Sequence, residues 1–211
     1  MAENASSSCE VISLFPTLVW KQQLAIAEHE VHRAAVLSVL RAGPSPMPSL
    51  STGDSWQSGT ALHRCPDLRA LVSRFERTAA GALGSLHIGD ARFQVTGCWA
   101  NANAPGASHP VHHHPNNFLS GVYYVQVGPG ADTITFHDPR PQTGIIRPPV
   151  TELSAQNTDQ VVVRVEDGTL LVFPAYLEHS VGPNASLDVR ISVSFNVMFT
   201  DYAETISPPL W

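Results

Sequence analysis

The segment Val189–Val197 alternates strictly: Arg190, Ser192, Ser194 and Asn196 fall on one side, and Ile191, Val193, Phe195 and Val197 on the other. Side chains of an extended strand alternate between faces, so this segment reads as a β-strand with one apolar and one polar face. The polar face either meets solvent or, in a closed β structure, turns inward and lines a polar lumen. The same short-strand character recurs over 93–103, 119–127, 132–137, 160–166, 169–173 and 189–199, each run bounded by Gly, Pro, Asn or Asp. No helical pattern interrupts these runs. Many short strands in succession predict a mostly β sandwich or jelly roll packed against an N-terminal helical layer.

The first part of the chain differs. Residues 11–20 are apolar and broken by Pro16, which predicts a bent strand at a sheet edge. Residues 26–41 predict a helix with a loose apolar stripe of Val31, Ala34, Ala35, Val36, Leu37 and Leu40, ended by Gly43 and Pro44. Residues 66–86 predict a second helix. Pro66 suits its first position, and Leu68, Leu71, Val72, Phe75, Ala79 and Leu83 form one apolar face. Residues 43–60 and the Pro-rich stretch 138–159, with Arg140, Pro141, Arg147, Pro148 and Pro149, read as loops. The 211 residues suit one domain. Its expected parts are a tail over 1–10, an N-terminal strand and helical layer over 11–91, a β core over 92–200 and a tail over 201–211. The apolar end Ile206–Trp211 would dock on the body or on a partner, so a homodimer stays open.

Apolar residues make up 43% and charged residues 14%, with net charge −6. That is ordinary globular composition, and the acidic balance argues against nucleic acid as a partner. Cys9, Cys65 and Cys98 are odd in number and widely spaced, which predicts reduced thiols in a reducing compartment. The first residues form neither a basic nor an apolar leader, and no apolar run approaches membrane-spanning length. The expectation is a soluble, cytoplasmic protein without a membrane partner.

Chemistry concentrates in Ser108–Asn117, where His109, His112, His113 and His114 stand within six positions. On extended backbone His112 and His114 share a face and His113 points away. Two imidazoles on one face make half of a metal site. A buried strand ending at Pro174 leads through a short loop to His179, which can complete it if the strands lie side by side. His109 and His113 are expected bystanders. Arg190 follows His179 by eleven positions, room for a turn and a returning strand. A guanidinium beside a metal suits a bidentate grip on a carboxylate.

The His112-x-His114 pair, the distant His179 and the Arg190-x-Ser192 pair resemble the iron(II)- and 2-oxoglutarate-dependent dioxygenases. Leu14-Phe15-Pro16-Thr17, His114-Pro115-Asn116-Asn117, Leu119–Tyr124, Asp138-Pro139-Arg140 and Phe173-Pro174 are similar to a bacterial and phage subgroup of that superfamily. The Tyr123-Tyr124 run is distantly similar to prolyl hydroxylases. The resemblance covers residues 11–199. It implies iron(II) held by His112, His114 and His179, with no catalytic side chain beyond the ligands. It also implies 2-oxoglutarate held by Arg190, Ser192 and Tyr124, with Asn101 and Asn103 as further candidates. Asn116, Asn117, Asp138 and Arg140 are candidates for substrate contact or ligand support. The implied reaction hydroxylates a small molecule or peptide while 2-oxoglutarate is decarboxylated to succinate.

The chain departs from the superfamily at His114, where a carboxylate is usual. Either three imidazoles form the set, or Asp138 or Glu178 supplies a carboxylate, or the metal is not iron. Gly106, His112-x-His114, Gly168, Pro174 and His179 also fit most of a cupin motif. A cupin-type metalloprotein that ignores 2-oxoglutarate, and an inactive binding module, therefore remain alternatives.

Overall fold

The computed structural model describes residues 9–43, 46–89, 92–141, 146 and 149–204. Its strands are β1 (Trp20–Gln23), β2 (Ser55–Gln57), β3 (Phe93–Asn103), β4 (His109–His112), β5 (Leu119–Gln126), β6 (Thr133–His137), β7 (Gln160–Arg164), β8 (Thr169–Pro174), β9 (His179–Val181) and β10 (Arg190–Phe199). They form two antiparallel sheets, β1-β8-β5-β10-β3-β2 and β4-β9-β6-β7. Helices α1 (Ile26–Ala42) and α2 (Arg69–Ser85) cover the outer face of the larger sheet, and a single helical turn, Thr200–Ala203, follows β10. This is the jelly roll expected from the strand pattern, in the cupin-like double-stranded β-helix form that the resemblance to the dioxygenases implies.

β10 sits at the centre of the larger sheet, between β5 and β3. Its apolar row, Ile191, Val193, Phe195 and Val197, is buried against the helices with Leu71, Phe75, Ala79 and Leu83 of α2. The polar row turns inward between the two sheets. The Phe195 ring stacks on Phe75 with centroids 4.2 Å apart and planes 6° apart. That ring fills the space where a side chain on Gly121 would stand, and a Cβ there would also lie 2.8 Å from the Leu171 carbonyl oxygen. Glycine at 121 is therefore a packing requirement. Between the sheets, Val122, Tyr124, Leu171 and Phe173 meet Ile134, Phe136 and Leu177 in a second, smaller core.

The edge strand begins at Trp20 and not at Val11. Residues 11–18 form no strand, and Val11, Ile12, Leu14 and Phe15 are exposed. Pro16 cannot donate a ladder hydrogen bond, and Phe15 has φ 54°, so pairing starts only beyond them. The buried face of α1 also differs from the apolar stripe. Val31 is 63% exposed, whereas His29 and His32 are buried with Val36, Val39 and Leu40. The His29 Nδ1 lies 2.7 Å from the buried Tyr123 hydroxyl, a polar pairing inside the helix–sheet interface that a hydrophobic count misses. α1 is further tied to α2 by an ion pair of Glu28 with Arg74, including a 2.7 Å hydrogen bond from Arg74 Nε. The second helix starts at Arg69 because Pro66–Leu68 forms a 3₁₀ turn. The strands β2, β4 and β9, each three or four residues long, had no periodic signal of their own. The end Ile206–Trp211 lies outside the described residues.

Candidate metal centre

β4 and β9 pair so that His112 stands directly opposite His179. His114 lies beyond the end of β4, and its backbone N–H donates to the Ala175 carbonyl at 2.9 Å, which swings the loop back toward β9. One nitrogen from each of His112, His114 and His179 lies within 4.8 Å of the others. The shared-face argument brought His112 and His114 together for the right reason only in part, since a loop anchor and not strand pleating places His114.

The ring tautomers suit a metal. His112 Nδ1 lies 2.9 Å from the Pro110 carbonyl and His179 Nδ1 lies 2.9 Å from the Leu177 carbonyl. A carbonyl only accepts, so both Nδ1 atoms carry hydrogen and both Nε2 lone pairs are free. Metal-binding histidines characteristically give their second ring N–H to such a carbonyl. Burial pushes the His114 imidazole down to about 3, and repulsion from His179, His112, His113 and His109 acts in the same direction. Burial likewise pushes His179 down to about 4. Both rings are therefore neutral, ligand-ready bases at physiological pH. Among the described residues no carboxylate joins the cluster. Glu178 is exposed, and Asp138 pairs with Arg140 at 2.9 Å on the loop after β6. The His109 ring lies tilted against His112, with centroids 5.2 Å apart, and His113 is exposed.

The histidines open into a cavity of about 1180 Å³. Its wall includes Arg190, Ser192, Tyr124, Asn101 and Asn103, together with Ser194 and Asn196 of the inward row. Arg190 is 3% exposed and meets no carboxylate at ion-pair distance among the described residues. Its guanidinium carbon lies 5.1 Å from the Tyr124 ring centroid. The Arg190 Nε, the Tyr124 hydroxyl and the Asn101 Oδ1 are buried and, among the described residues, find no partner in good hydrogen-bond geometry. A buried cation and two orphaned polar groups are costly unless a ligand satisfies them. Burial pushes the Tyr124 hydroxyl up to about 12, so it stays a donor despite the adjacent guanidinium. This set fits a carboxylate ligand, and the three imidazoles fit a divalent transition metal. Asn103 donates to Ser55 Oγ at 3.0 Å and Asn101 to Ser194 Oγ at 3.0 Å, so one amide donor of each is committed to the wall. Asn116 and Asn117 line the mouth; Asp138 and Arg140 do not.

Sequence reasoning passed over Trp99, Gly97 and Gln94, which all line the cavity. The available signal was the two-residue period running back along β3 from Asn103 and Asn101 to Trp99 and Gly97.

Residues 97–196 match the family model described as "Putative 2OG-Fe(II) oxygenase". The fold is similar to the non-haem α-ketoglutarate-dependent epimerase SnoN from nogalamycin biosynthesis (TM-score 0.62, 16% identity, 92% of this chain and 89% of that one). It is similar also to HygX from Streptomyces hygroscopicus with nickel and 2-oxoglutarate bound (TM-score 0.60, 11% identity, 87% and 84%). A prolyl-4-hydroxylase from Pseudomonas putida aligns as well (TM-score 0.59, 15% identity, 87% and 93%). A search of curated proteins found no match. Over residues 97–196, just under half of its length, the chain is thus similar to the 2-oxoglutarate- and iron(II)-dependent oxygenases, and the fold of the structural relatives extends over most of it. Within that fold it carries a cluster of three histidines.

Proposed function

We propose that the protein is an oxygenase that hydroxylates a small molecule and consumes 2-oxoglutarate. The observation that carries this reading is the buried Arg190, unpaired by any described carboxylate, in the same cavity as three converging imidazoles. His112 and His179 would present Nε2 to iron(II), and His114 would complete the set. Arg190 would grip the distal carboxylate of 2-oxoglutarate, the Tyr124 hydroxyl would donate to it, and Ser192, which pairs with Tyr124 across β10 and β5, would stand beside both. Bound iron(II) and 2-oxoglutarate would supply oxygen activation, coupled to decarboxylation of the cosubstrate to succinate. The protein orients the partners and lines the site with apolar groups such as Phe173 and Val122, which exclude water.

A small-molecule substrate is supported by the structural relatives, which include HygX with hygromycin B bound and SnoN with nogalamycin RO. The cysteines Cys9, Cys65 and Cys98 are free, which supports a reducing compartment such as the cytoplasm. No helix among the described residues is long and apolar enough to cross a membrane.

Anaerobic addition of iron(II) and 2-oxoglutarate should give a metal-to-ligand charge-transfer band. Arg190→Met should abolish it at cosubstrate levels that saturate the unmodified protein. A cupin-type metalloprotein would bind metal and ignore the Arg190 change, and an inactive module would bind neither ligand.

A further inference from the structure

The cavity is larger than a small dicarboxylate needs. Sites for drug-sized ligands run to about 300–1,000 Å³, and this one reaches about 1180 Å³. Arg190 and the strand β3 show where the spare room lies. Arg190 stands opposite Asn103, Ser192 opposite Asn101, Ser194 opposite Trp99 and Asn196 opposite Gly97. A strand advances about 3.4 Å per residue, so Trp99 sits about 14 Å along β3 from the Arg190 end. The register then slips at Asn196/Val197, leaving Thr96 as an extra, unpaired residue of a bulge. Beyond Trp99 the wall continues through Gly97 and Thr96 to Gln94.

We propose that this outer part of the cavity is the substrate site, and that it takes a neutral ring compound rich in hydroxyls, such as a glycoside or cyclic polyol, packed on Trp99. The proposal rests on the oxygenase reading and names its substrate class. The indole lies close over Gly97, where an added Cβ would stand 3.6 Å from Cζ3, and its centroid is 5.7 Å from the His114 ring. A ring lying on Trp99 would thus hold its C–H bonds beside the metal ligands. The polar groups around it are uncharged: the amides of Gln94, Asn116 and Asn117 and the hydroxyl of Thr96. Amides offer donors and acceptors together, which matches hydroxyls. The charges at this end are Arg64 and Glu76, one of each sign and both exposed. Neither a phosphorylated compound nor a polyamine finds a matching charge cluster. Beyond the indole, the branched apolar side chains lining this end are the buried Val72 and Val95, which give a long alkyl chain little to cover.

The loop carrying Asn116 is fixed in advance. Thr96 Oγ1 donates to Asn117 Oδ1 at 2.6 Å, Asn117 Nδ2 donates to the Pro115 carbonyl at 2.9 Å, and Asn116 holds φ 60°. An extended peptide fits less well beside Trp99, because over residues 98–103 β3 is paired on both sides. β10 occupies one side, and β2 with the Ser58–Ala61 segment occupies the other.

The test uses full-length protein loaded with manganese(II) and 2-oxoglutarate, loading being confirmed by a rise in melting temperature. Tryptophan fluorescence and calorimetry are then followed during titration with methyl glycosides and myo-inositol, and separately with octanoate, glucose 6-phosphate and a neutral tetrapeptide. Saturable binding of a neutral ring compound is expected, weakened at least tenfold in Trp99→Leu. Asn116→Gly, which removes the carboxamide without straining a positive φ, should weaken it at least threefold and guards against misfolding of the tryptophan variant. Tighter binding of octanoate, the sugar phosphate or the peptide overturns the proposal, and so does failure of every neutral ring compound to bind the loaded protein. Failure of the loading step itself counts against the oxygenase reading instead.

Discussion

His114 is the residue on which the chemistry of the centre turns. Three neutral imidazoles leave a divalent metal with its full charge, and the buried Arg190 adds another positive charge to the same cavity. A dianionic chelating ligand would offset both, so metal and 2-oxoglutarate should bind with positive coupling. In calorimetric titrations with manganese(II), saturating 2-oxoglutarate should tighten metal binding at least tenfold, about 1.4 kcal/mol. His114→Asp should bind metal in the absence of 2-oxoglutarate and show a smaller coupling. The same residues set a pH dependence in the metal-free protein. His114 and His179 titrate near 3 and near 4 in the folded chain, against 6.5 ordinarily. Above pH 6.5 neither state binds these protons, and below it the unfolded chain takes them up while the folded chain does not. Stability should therefore fall as pH drops from 6.5 toward 4, by up to about 1.4 kcal/mol per pH unit for each histidine. Urea unfolding between pH 7.5 and 5 measures this, and His114→Asn should flatten the slope.

At the scale of elements, the larger sheet is held to α2 through close approach at a few points. Gly121 lets the Phe195 ring lie flat against β5 and stack on Phe75. Gly121→Ala should displace that ring and cost about 1–3 kcal/mol by overpacking. Thermal or urea unfolding would read this, with metal affinity a separate measurement because β4 and β9 belong to the other sheet. α1 is a different case. Its buried His29 and His32 carry polar partners into an interface usually assigned by counting apolar residues, so its length was legible and its facing was not. The long strands β3, β5 and β10 carried alternation or β-branched runs enough to be read directly. β4 and β9 are too short for a period to show. They exist because each supplies the other's partner, and that pairing sets His112 against His179.

For the whole molecule, ligands that bind only the folded state raise its stability by mass action. Manganese(II), and 2-oxoglutarate on the metal-loaded protein, at about 100 times their dissociation constants should each add about 2.7 kcal/mol. For a chain of this size that is about 5–10 °C in melting temperature. Arg190→Met should lose the cosubstrate's share and keep the metal's. What the sequence determined alone is local: which segments are strands and helices, that β10 has one polar face, and which residue types could bind metal. These follow from periodicity and side-chain chemistry, which neighbours in the chain already express. Only the tertiary structure decided that the polar face of β10 turns inward, that Arg190 is buried away from every described carboxylate, that His114 arrives by a loop anchored on Ala175, and that Trp99 stands beside it. Each depends on strands distant in sequence coming into register, and a linear pattern does not specify which strands will pair.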